Sequence, residues 1–158
     1  VIACASSDDK LAFARAHGAD EGVNYTREDL RDGLKRLGGE HGIDVLYDPV
    51  GGHLAEPALR SLAWEGRYLV VGFAAGEIPK LPLNLVLLKS CDVRGVFWGS
   101  WTARDPEAHR ANMADLVRWC VEGKLSAHVH ASYPLDQAAQ ALKDIAGRKA
   151  MGKVVLKP

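Results

Sequence analysis

The sequence predicts an α/β protein whose strands form a doubly wound parallel sheet with helices on both faces. Short apolar runs without helical spacing alternate with segments whose leucines recur every three or four residues, and turns rich in glycine and proline separate them. Strands that alternate with helices at this spacing are typical of right-handed crossovers between parallel strands. The predicted strands are residues 1–5, 43–47, 68–71 and 93–97, with a short strand at 23–25.

The first strand is predicted from the unbroken apolar run 1–5, which suits a strand buried on both faces. Helices are predicted where a capping residue precedes a periodic apolar face and a glycine follows it. These helices run from Ser6-Ser7 to Gly18, from a Thr26 cap to Gly38-Gly39, through Leu54, Leu59 and Leu62, from Asp105-Pro106 to Gly123, and from Asp136 to about Ile145.

Turns and loops connect these elements. Trp64-Glu65-Gly66 predicts a turn before the strand at 68–71, and the Gly- and Pro-rich residues 72–82 predict a long functional loop. Two further strands are predicted at 129–133 and 153–156, and the segment from Val129 is expected to leave the main sheet.

Composition excludes several classes of partner. Twenty basic side chains balance twenty acidic ones, so no net charge attracts nucleic acid or an anionic membrane surface. No apolar run approaches the roughly 20 residues that span a bilayer. The three cysteines lie far apart among apolar neighbours, which favours buried thiols in a reducing cytosol over disulfides or zinc, and predicts a cytoplasmic location.

No catalytic side chain can be assigned from the sequence. None of the six histidines has an acidic partner at triad-like or metal spacing, and no serine or cysteine lies in a nucleophile elbow. His128 and His130 would share one face of a strand, but two ligands without a third make a poor metal site. We therefore expect no metal site in this chain.

A doubly wound dinucleotide-binding domain begins with a strand, a glycine-rich turn and a helix that holds the pyrophosphate. That glycine-rich turn is absent, and the apolar run at residue 1 with its serine tip and helix corresponds to the second βα unit of such a domain. We expect either a truncated gene product or an excised fragment.

Six short stretches carry a resemblance to a known family. They occur in this order: residues 5–11 (ASSDDKL), 17–20 (HGAD), 23–25 (VNY), 44–52 (DVLYDPVGG), 66–74 (GRYLVVGFA) and 152–156 (GKVVL). In this order and spacing they resemble the medium-chain dehydrogenase/reductase family, in its NADPH:quinone oxidoreductase-like branch.

The resemblance implies how the chain is organised. It implies a Rossmann-type sheet that lacks its first βα unit, in residues 1–127, followed by a C-terminal remnant of the catalytic domain in residues 128–158. It also implies that most residues that contact substrate lie in the part of the family's sequence that this chain does not match.

The tip of the first strand predicts the cofactor. Folds that prefer NAD place an acidic residue there to accept hydrogen bonds from the ribose hydroxyls. Here the tip carries Ser6 and Ser7, with Lys10 one helical turn further on, and a hydroxyl with a cation suits the 2′-phosphate of NADPH. The resemblance adds Tyr25 and Arg148 to this phosphate site.

Each of these residues also has a simpler interpretation. Ser6 could be an N-cap, Lys10 a solvated helix residue and Arg148 a loop charge, and Asp8 and Asp9 lie close enough to oppose a phosphate. Taken together, the hydroxyls and cations favour NADPH.

A second group of predicted contacts lies where two later strands end. Val50 and Gly51 follow the strand at 43–47, and Gly72 and Phe73 follow the strand at 68–71. Ligands of open α/β sheets bind at such carboxyl ends, and glycine allows the backbone to approach a ligand closely. The alternative for the first pair is an ordinary βα turn.

The resemblance assigns this second group to the nicotinamide. It implies that the backbone of Gly72 and Phe73 lies along the nicotinamide ribose and carboxamide, with Phe97 and Trp98 in a similar role. A core or interface aromatic cluster is the competing interpretation for Trp98.

The resemblance implies an oxidoreductase that transfers hydride from NADPH to a quinone or an α,β-unsaturated carbonyl without zinc. Two alternatives remain open at this point: a zinc-dependent alcohol dehydrogenase, and a non-catalytic fragment that binds nucleotide or a partner. The strand at 93–97 comes last in the run of alternating units, so we expect it at the edge of the sheet. The resemblance implies that two such strands pair about a twofold axis, giving a homodimer through residues 92–101. The alternative is that the long helix after Pro106 folds over this edge and the chain stays monomeric.

Overall fold

The computed structural model describes residues 1–158 and contains seven strands and seven α-helices. In chain order these are β1 (Ile2–Ala5), α1 (Asp8–Ala16), β2 (Glu21–Asn24), α2 (Leu30–Gly38), β3 (Ile43–Asp48), α3 (Ala55–Arg60), β4 (Leu62–Val70), α4 (Leu83–Lys89), β5 (Asp92–Gly95), α5 (Trp98–Arg104), α6 (Pro106–Val121), β6 (Val129–Pro134), α7 (Ala138–Ala146) and β7 (Lys153–Lys157). Short 3₁₀ turns precede α3 and α7, at Gly52–Leu54 and Leu135–Gln137.

All strand pairs are parallel, which confirms the predicted fold class. β1 pairs with β2, the next three strands form a sheet in the order β3-β4-β5, and β6 pairs with β7. The strands before residue 98 therefore form two sheets rather than one. A doubly wound sheet has the strand order 3-2-1-4-5-6, in which strands 3 and 2 lie on one side of strand 1 and strands 4, 5 and 6 on the other. The two-stranded and three-stranded sheets seen here correspond to these two sides.

The chain divides into two compact units, Val1–Trp98 and Gly99–Pro158. The first unit contains the main core, in which Val23, Leu59, Leu62 and Tyr68 are almost completely buried. α2 contributes Leu30 and Leu34, which share a face because they are four residues apart. The predicted domain boundary between residues 127 and 128 lies inside the second unit and stays a prediction.

Two predicted boundaries in the first unit are wrong. Thr26 does not cap the second helix: the cap is Asp29, whose carboxylate accepts from the Asp32 amide at 3.1 Å. Leu62 belongs to β4, which runs through the predicted turn at Trp64-Glu65-Gly66 as an irregularity, with Glu65 at φ 59° and a register shift against β3. The strand continues because its backbone pairs with β3 on both sides of the shift.

Two helices were not predicted. α4 lacks a polar face in its sequence, but Leu85 and Val86 pack on the core, and the Lys89 ammonium donates to the Leu62 carbonyl at 2.5 Å. α5 occupies residues 98–104, so the predicted strand 93–97 ends early, at Gly95. β5 does lie at the end of its sheet, which confirms its predicted edge position.

Burial of the first strand and of the cysteines was predicted only in part. Cys91 is buried, but Cys4 and Cys120 are exposed, so the expectation of three buried thiols is wrong for two of them. Val1 is 83% exposed, and β1 is not buried on both faces. β1 packs against α1 and pairs with β2, and these contacts leave its residues only partly buried.

The second unit has few buried side chains. α6 begins as predicted, with Asp105 accepting from the Ala108 amide at 3.0 Å and Pro106 in the first turn, yet none of its residues is buried. β6, α7 and β7 pack together, and the Tyr133 hydroxyl donates to Asp144 at 2.5 Å. No helix in the chain combines the length and the apolar character needed to cross a membrane.

Candidate cofactor-binding site

The predicted contacts in the first unit follow the carboxyl ends of four parallel strands. Ser6 follows β1 and Tyr25 follows β2, and the two strand ends are joined by a hydrogen bond from the Tyr25 amide to the Ala5 carbonyl at 3.1 Å. Residues 49–52 follow β3 and residues 71–77 follow β4. Ligands of open α/β sheets bind beyond this edge.

A pocket of about 300 Å³ lies at the ends of β1 and β2, and we call it the serine pocket. Its lining is polar and carries charges of both signs. The lining residues are Ser6, Ser7, Asp8, Asp9, Asn24, Thr26 and Arg27.

The structure brings Ser6, Ser7 and Lys10 together. The Ser7 hydroxyl oxygen accepts from the Lys10 amide at 3.4 Å, so Ser7 is the N-cap of α1. Ser6 is not the cap; its hydroxyl oxygen accepts from the Lys10 ammonium at 3.4 Å. A hydroxyl and a cation therefore stand side by side at the tip of β1, as a phosphate ligand would require.

Asn24 organises the opposite wall of the serine pocket. It is 6% exposed, and its side-chain oxygen accepts from both the amide and the hydroxyl of Thr26, at 3.1 and 2.7 Å. Its side-chain nitrogen donates to Asp8 at 2.6 Å. The Thr26 hydroxyl also lies 3.2 Å from the Ser6 carbonyl, which explains why Thr26 is not available as a helix cap.

Sequence analysis did not find Asn24, Thr26 and Arg27 as site residues. Arg27 pairs with Asp8 across the serine pocket. Their position in the sequence could have indicated them, because they lie beside the predicted contact Tyr25 at the carboxyl end of a strand. The pairing partner lies in α1, which the local pattern around residue 27 does not reveal.

Asp48 fixes the loop that follows β3. One carboxylate oxygen accepts from the amides of Val50 and Gly51, at 2.8 and 2.9 Å. The other oxygen accepts from the Tyr68 hydroxyl, and Tyr68 is 1% exposed. Burial, together with this bond to Asp48, raises the pKa of Tyr68 and keeps its phenol protonated.

The loops after β3 and β4 are bonded to each other, and we call residues 49–52 and 71–77 the paired loops. The Asp48 carbonyl accepts from the Val71 amide at 2.9 Å, the Pro49 carbonyl from Ala74 at 3.0 Å and the Val50 carbonyl from Ala75 at 2.9 Å. The first residues of the predicted loop at 72–82 are therefore held by backbone hydrogen bonds to the loop after β3.

The glycines of the paired loops are required by close approach. Gly51 has φ 66°, and a Cβ there would lie 2.9 Å from the Phe73 ring. A Cβ on Gly72 would lie 3.3 Å from the Pro49 carbonyl oxygen. The structure therefore brings Val50, Gly51, Gly72 and Phe73 together, with Phe73 41% exposed beside them.

Three predicted contacts lie away from these two groups in the sequence. Phe97, 80% exposed, follows β5, and Trp98 begins α5 with its side chain 58% exposed. Arg148 belongs to the second unit, in the turn between α7 and β7, with φ 55°. The roles of these three residues stay predictions.

The side chains of this chain offer no site to a metal ion. No three or more histidine, cysteine or acidic side chains come together in a group that could hold one. His41 pairs with Asp44 alone, at 2.6 Å.

A larger depression, of about 490 Å³, lies near the starts of α2 and α3. It contains none of the predicted contacts. Its basic and acidic side chains are exposed, and Arg60 and Glu56 pair with each other across one helical turn.

Parallel strands, a serine tip and paired glycine loops at the carboxyl edge define a Rossmann-type nucleotide-binding fold. The comparison with protein families agrees. Residues 17–156 match the family described as zinc-binding dehydrogenase, and the chain belongs to this family of medium-chain dehydrogenases/reductases.

The relatives that the chain resembles are described by different activities. The chain is 40% identical over 156 residues to quinone oxidoreductase-like protein 2 of Rattus norvegicus, covering 99% of this chain and 45% of that protein. A mycobacterial protein solved in complex with NADPH superposes with a TM-score of 0.88 at 27% identity, over 100% of this chain and 50% of its own. An NAD-dependent alcohol dehydrogenase superposes with a TM-score of 0.85 at 32% identity. The superposition covers 100% of this chain and 43% of that protein.

The chain thus spans about half the length of the relatives it matches. The serine pocket holds groups that can bind a phosphate, Arg27 and the Ser6 hydroxyl with Lys10 beside it, and also two carboxylates, Asp8 and Asp9. Gly51 and Gly72 allow the paired loops to approach each other closely, because a side chain at either position would meet Phe73 or the Pro49 carbonyl.

Proposed function

We propose that the protein is an oxidoreductase that transfers hydride from NADPH to a quinone or an α,β-unsaturated carbonyl, without zinc. The observation that carries this proposal is the contact between the Lys10 ammonium and the Ser6 hydroxyl at the tip of β1, where NAD-preferring folds place a carboxylate. The likeness to quinone oxidoreductase-like protein 2 and to the NADPH complex supports it.

The residues of this chain would bind and orient the cofactor. Ser6, Ser7 and Lys10, with Tyr25, would hold the 2′-phosphate, and the role of Arg148 stays a prediction. Val50, Gly51, Gly72 and Phe73 would hold the nicotinamide end, with Phe97 and Trp98 near it. When bound, NADPH supplies a hydride from its nicotinamide ring, and one further proton completes the reduction of either substrate class.

Catalysis of this kind depends on position rather than on a nucleophile. The bonds from Asp48 to the Val50 and Gly51 amides hold the paired loops in one conformation before a ligand arrives. Phe73 and the exposed aromatic side chains after β5 would exclude water from the ring that donates hydride.

A zinc-dependent alcohol dehydrogenase is the second candidate. The description of the matched family and the likeness to an NAD-dependent alcohol dehydrogenase favour it. The two candidates differ in cofactor and in metal, so one assay distinguishes them.

The test is an activity assay on the full-length protein. NADPH oxidation is followed by absorbance with a simple quinone and with a simple enone, against NADH and against an alcohol with oxidised cofactor. We expect turnover with NADPH that survives dialysis against a chelator. Activity only with an alcohol, or loss of activity that added zinc restores, would establish the second candidate instead. No turnover in any arm would favour a non-catalytic nucleotide-binding role.

We also propose that the protein forms a homodimer through residues 92–101. β5 lies at the end of its sheet, and Val93, Phe97 and Trp98 are exposed there, without a lysine or proline to prevent pairing. Two such strands set antiparallel about a twofold axis would join two sheets into one.

Sedimentation at micromolar concentration tests the dimer. We expect twice the protomer mass for the wild type and a monomer for Val96→Lys, with folding checked by circular dichroism. Leu142→Lys, at a side chain 66% exposed outside this segment, is the matched control and should stay dimeric. A wild-type protein that sediments as a monomer would overturn the proposal.

A further inference from the structure

Arg27 and Asp8 form an ion pair on the wall of the serine pocket. The guanidinium is bonded to the second carboxylate oxygen of Asp8, and the two side chains are 74% and 52% exposed. Both residues line the pocket together with Ser6, whose hydroxyl contacts Lys10. A second cation thus stands beside the pocket that we assign to the 2′-phosphate, but it is held by a carboxylate.

The two partners of this pair differ in how firmly they are held. The first oxygen of Asp8 accepts from the Asn24 side-chain nitrogen at 2.6 Å. Asn24 is 6% exposed, and both of its Thr26 contacts hold its amide in one orientation. Asp8 is therefore fixed to a buried side chain, whereas Arg27 is 74% exposed and forms its ion pair with Asp8.

Breaking the pair costs little. An exposed ion pair contributes little to stability, since solvent screens both charges. A phosphate dianion offers Arg27 a doubly charged partner with two oxygens that match the guanidinium fork. Exchange of Asp8 for phosphate is then favourable, and the Asp8 carboxylate that remains opposes the same phosphate.

We propose that the Asp8–Arg27 pair sets the affinity for the 2′-phosphate: Arg27 exchanges Asp8 for the phosphate when the cofactor binds, and Asp8 limits the strength of binding by competing for Arg27. This inference rests on the proposed use of NADPH. It assigns specificity to two residues that strand-tip patterns do not reveal.

The two residues should act in opposite directions. Arg27→Gln should weaken binding of a nucleotide with a 2′-phosphate about tenfold, because roughly one charge-assisted hydrogen bond is lost. Asp8→Asn keeps an oxygen for the Asn24 bond but removes the charge, and should tighten binding about threefold to tenfold. Neither change should alter binding of a nucleotide without the 2′-phosphate.

Asp9→Asn and Arg31→Gln are the matched controls. Asp9 lines the serine pocket in the same helical turn but has no recorded bond to Arg27, and Arg31 lies outside the pocket. Arg31→Gln should change the affinity less than twofold, and Asp9→Asn should tighten binding less than Asp8→Asn does, because Asp9 contributes repulsion alone. An effect of Asp9→Asn equal to that of Asp8→Asn would mean that only the net charge matters, which would overturn the exchange.

The experiment is calorimetric titration of the full chain with 2′,5′-ADP and with 5′-AMP, for the wild type, the single variants and the double variant Asp8→Asn/Arg27→Gln. If Asp8 acts through Arg27, Asp8→Asn has a smaller effect when Arg27 is already absent, so the two changes are not additive. Additive effects, or unchanged affinity in both single variants, would overturn this inference. Equal wild-type affinity for 2′,5′-ADP and 5′-AMP would instead overturn the proposed use of NADPH.

Discussion

The serine pocket and the paired loops lie at strand ends of the same unit, but their polar groups are held in different ways. Asp48 accepts three hydrogen bonds, one of them from Tyr68, which is almost completely buried. Asp8 and Arg27 pair in solvent, and Arg27 can change partner. Buried hydrogen bonds are costly to break, whereas exposed ion pairs are not.

This difference matches the two parts of a dinucleotide that the sites would hold. A ring that donates hydride has to be placed accurately, so a loop fixed before binding suits it. A phosphate is bound by charge, and side chains that rearrange around it suffice. The comparison predicts that changes at Asp48 alter stability, and that changes at the serine pocket alter nucleotide preference.

The largest expected effect is that of Asp48→Ala on stability. The change leaves the amides of Val50 and Gly51 and the Tyr68 hydroxyl without their acceptor, and we expect a loss of about 3 kcal/mol in the free energy of unfolding. Urea denaturation measures it. Asp44→Ala, in the same strand with an exposed carboxylate, is the control and should cost less than about 0.5 kcal/mol. Equal losses would show that Asp48 does not fix the loop.

Gly51→Ala should have the next largest effect. Its φ of 66° strains an alanine, and the added Cβ would also meet the Phe73 ring. We expect a loss of about 2 kcal/mol, of which about half is backbone strain. Gly76→Ala separates the two causes, because Gly76 has φ 88° with no atom near the added Cβ. A Gly76 variant as unstable as the Gly51 variant would rule out the close approach between the paired loops.

Tyr68→Phe should have the smallest effect, about 1 kcal/mol at neutral pH. Burial and the bond to Asp48 raise the pKa of Tyr68 above its ordinary value of 10.0. The stabilisation by the protonated phenol is therefore fully present below about pH 10 and is lost at higher pH, because the unfolded chain releases this proton first. Denaturation from pH 8 to 11 should show a smaller alkaline loss in Tyr68→Phe than in the wild type. Tyr47→Phe, at a ring that is 66% exposed, should match the wild type.

Local patterns predicted the parts of the fold that local contacts determine. Ser7 caps α1 and Asp105-Pro106 begins α6, because a side chain near each helix start accepts from an amide three residues on. Thr26 was assigned to a cap wrongly, since its hydroxyl bonds instead to Asn24 and to the Ser6 carbonyl from another strand.

The same limit applies to the site. Ser6, Lys10, Gly51 and Gly72 could be found from their positions after strands. The Tyr68–Asp48 and Arg27–Asp8 contacts could not, because each joins two residues that lie 19 or 20 positions apart in the chain. Long-range pairs of this kind become visible only when the register of the strands is known.

The most direct test of the account is the preference between NADPH and NADH. Fluorescence titration of the full-length protein with each cofactor, for the wild type and Lys10→Ala, measures it. We expect tighter binding of NADPH by the wild type, and in Lys10→Ala about tenfold weaker binding of NADPH with NADH little changed, because only the 2′-phosphate carries charge at this position. Equal wild-type affinity for the two cofactors, or equal weakening of both by Lys10→Ala, would contradict the assignment of the serine pocket to the 2′-phosphate.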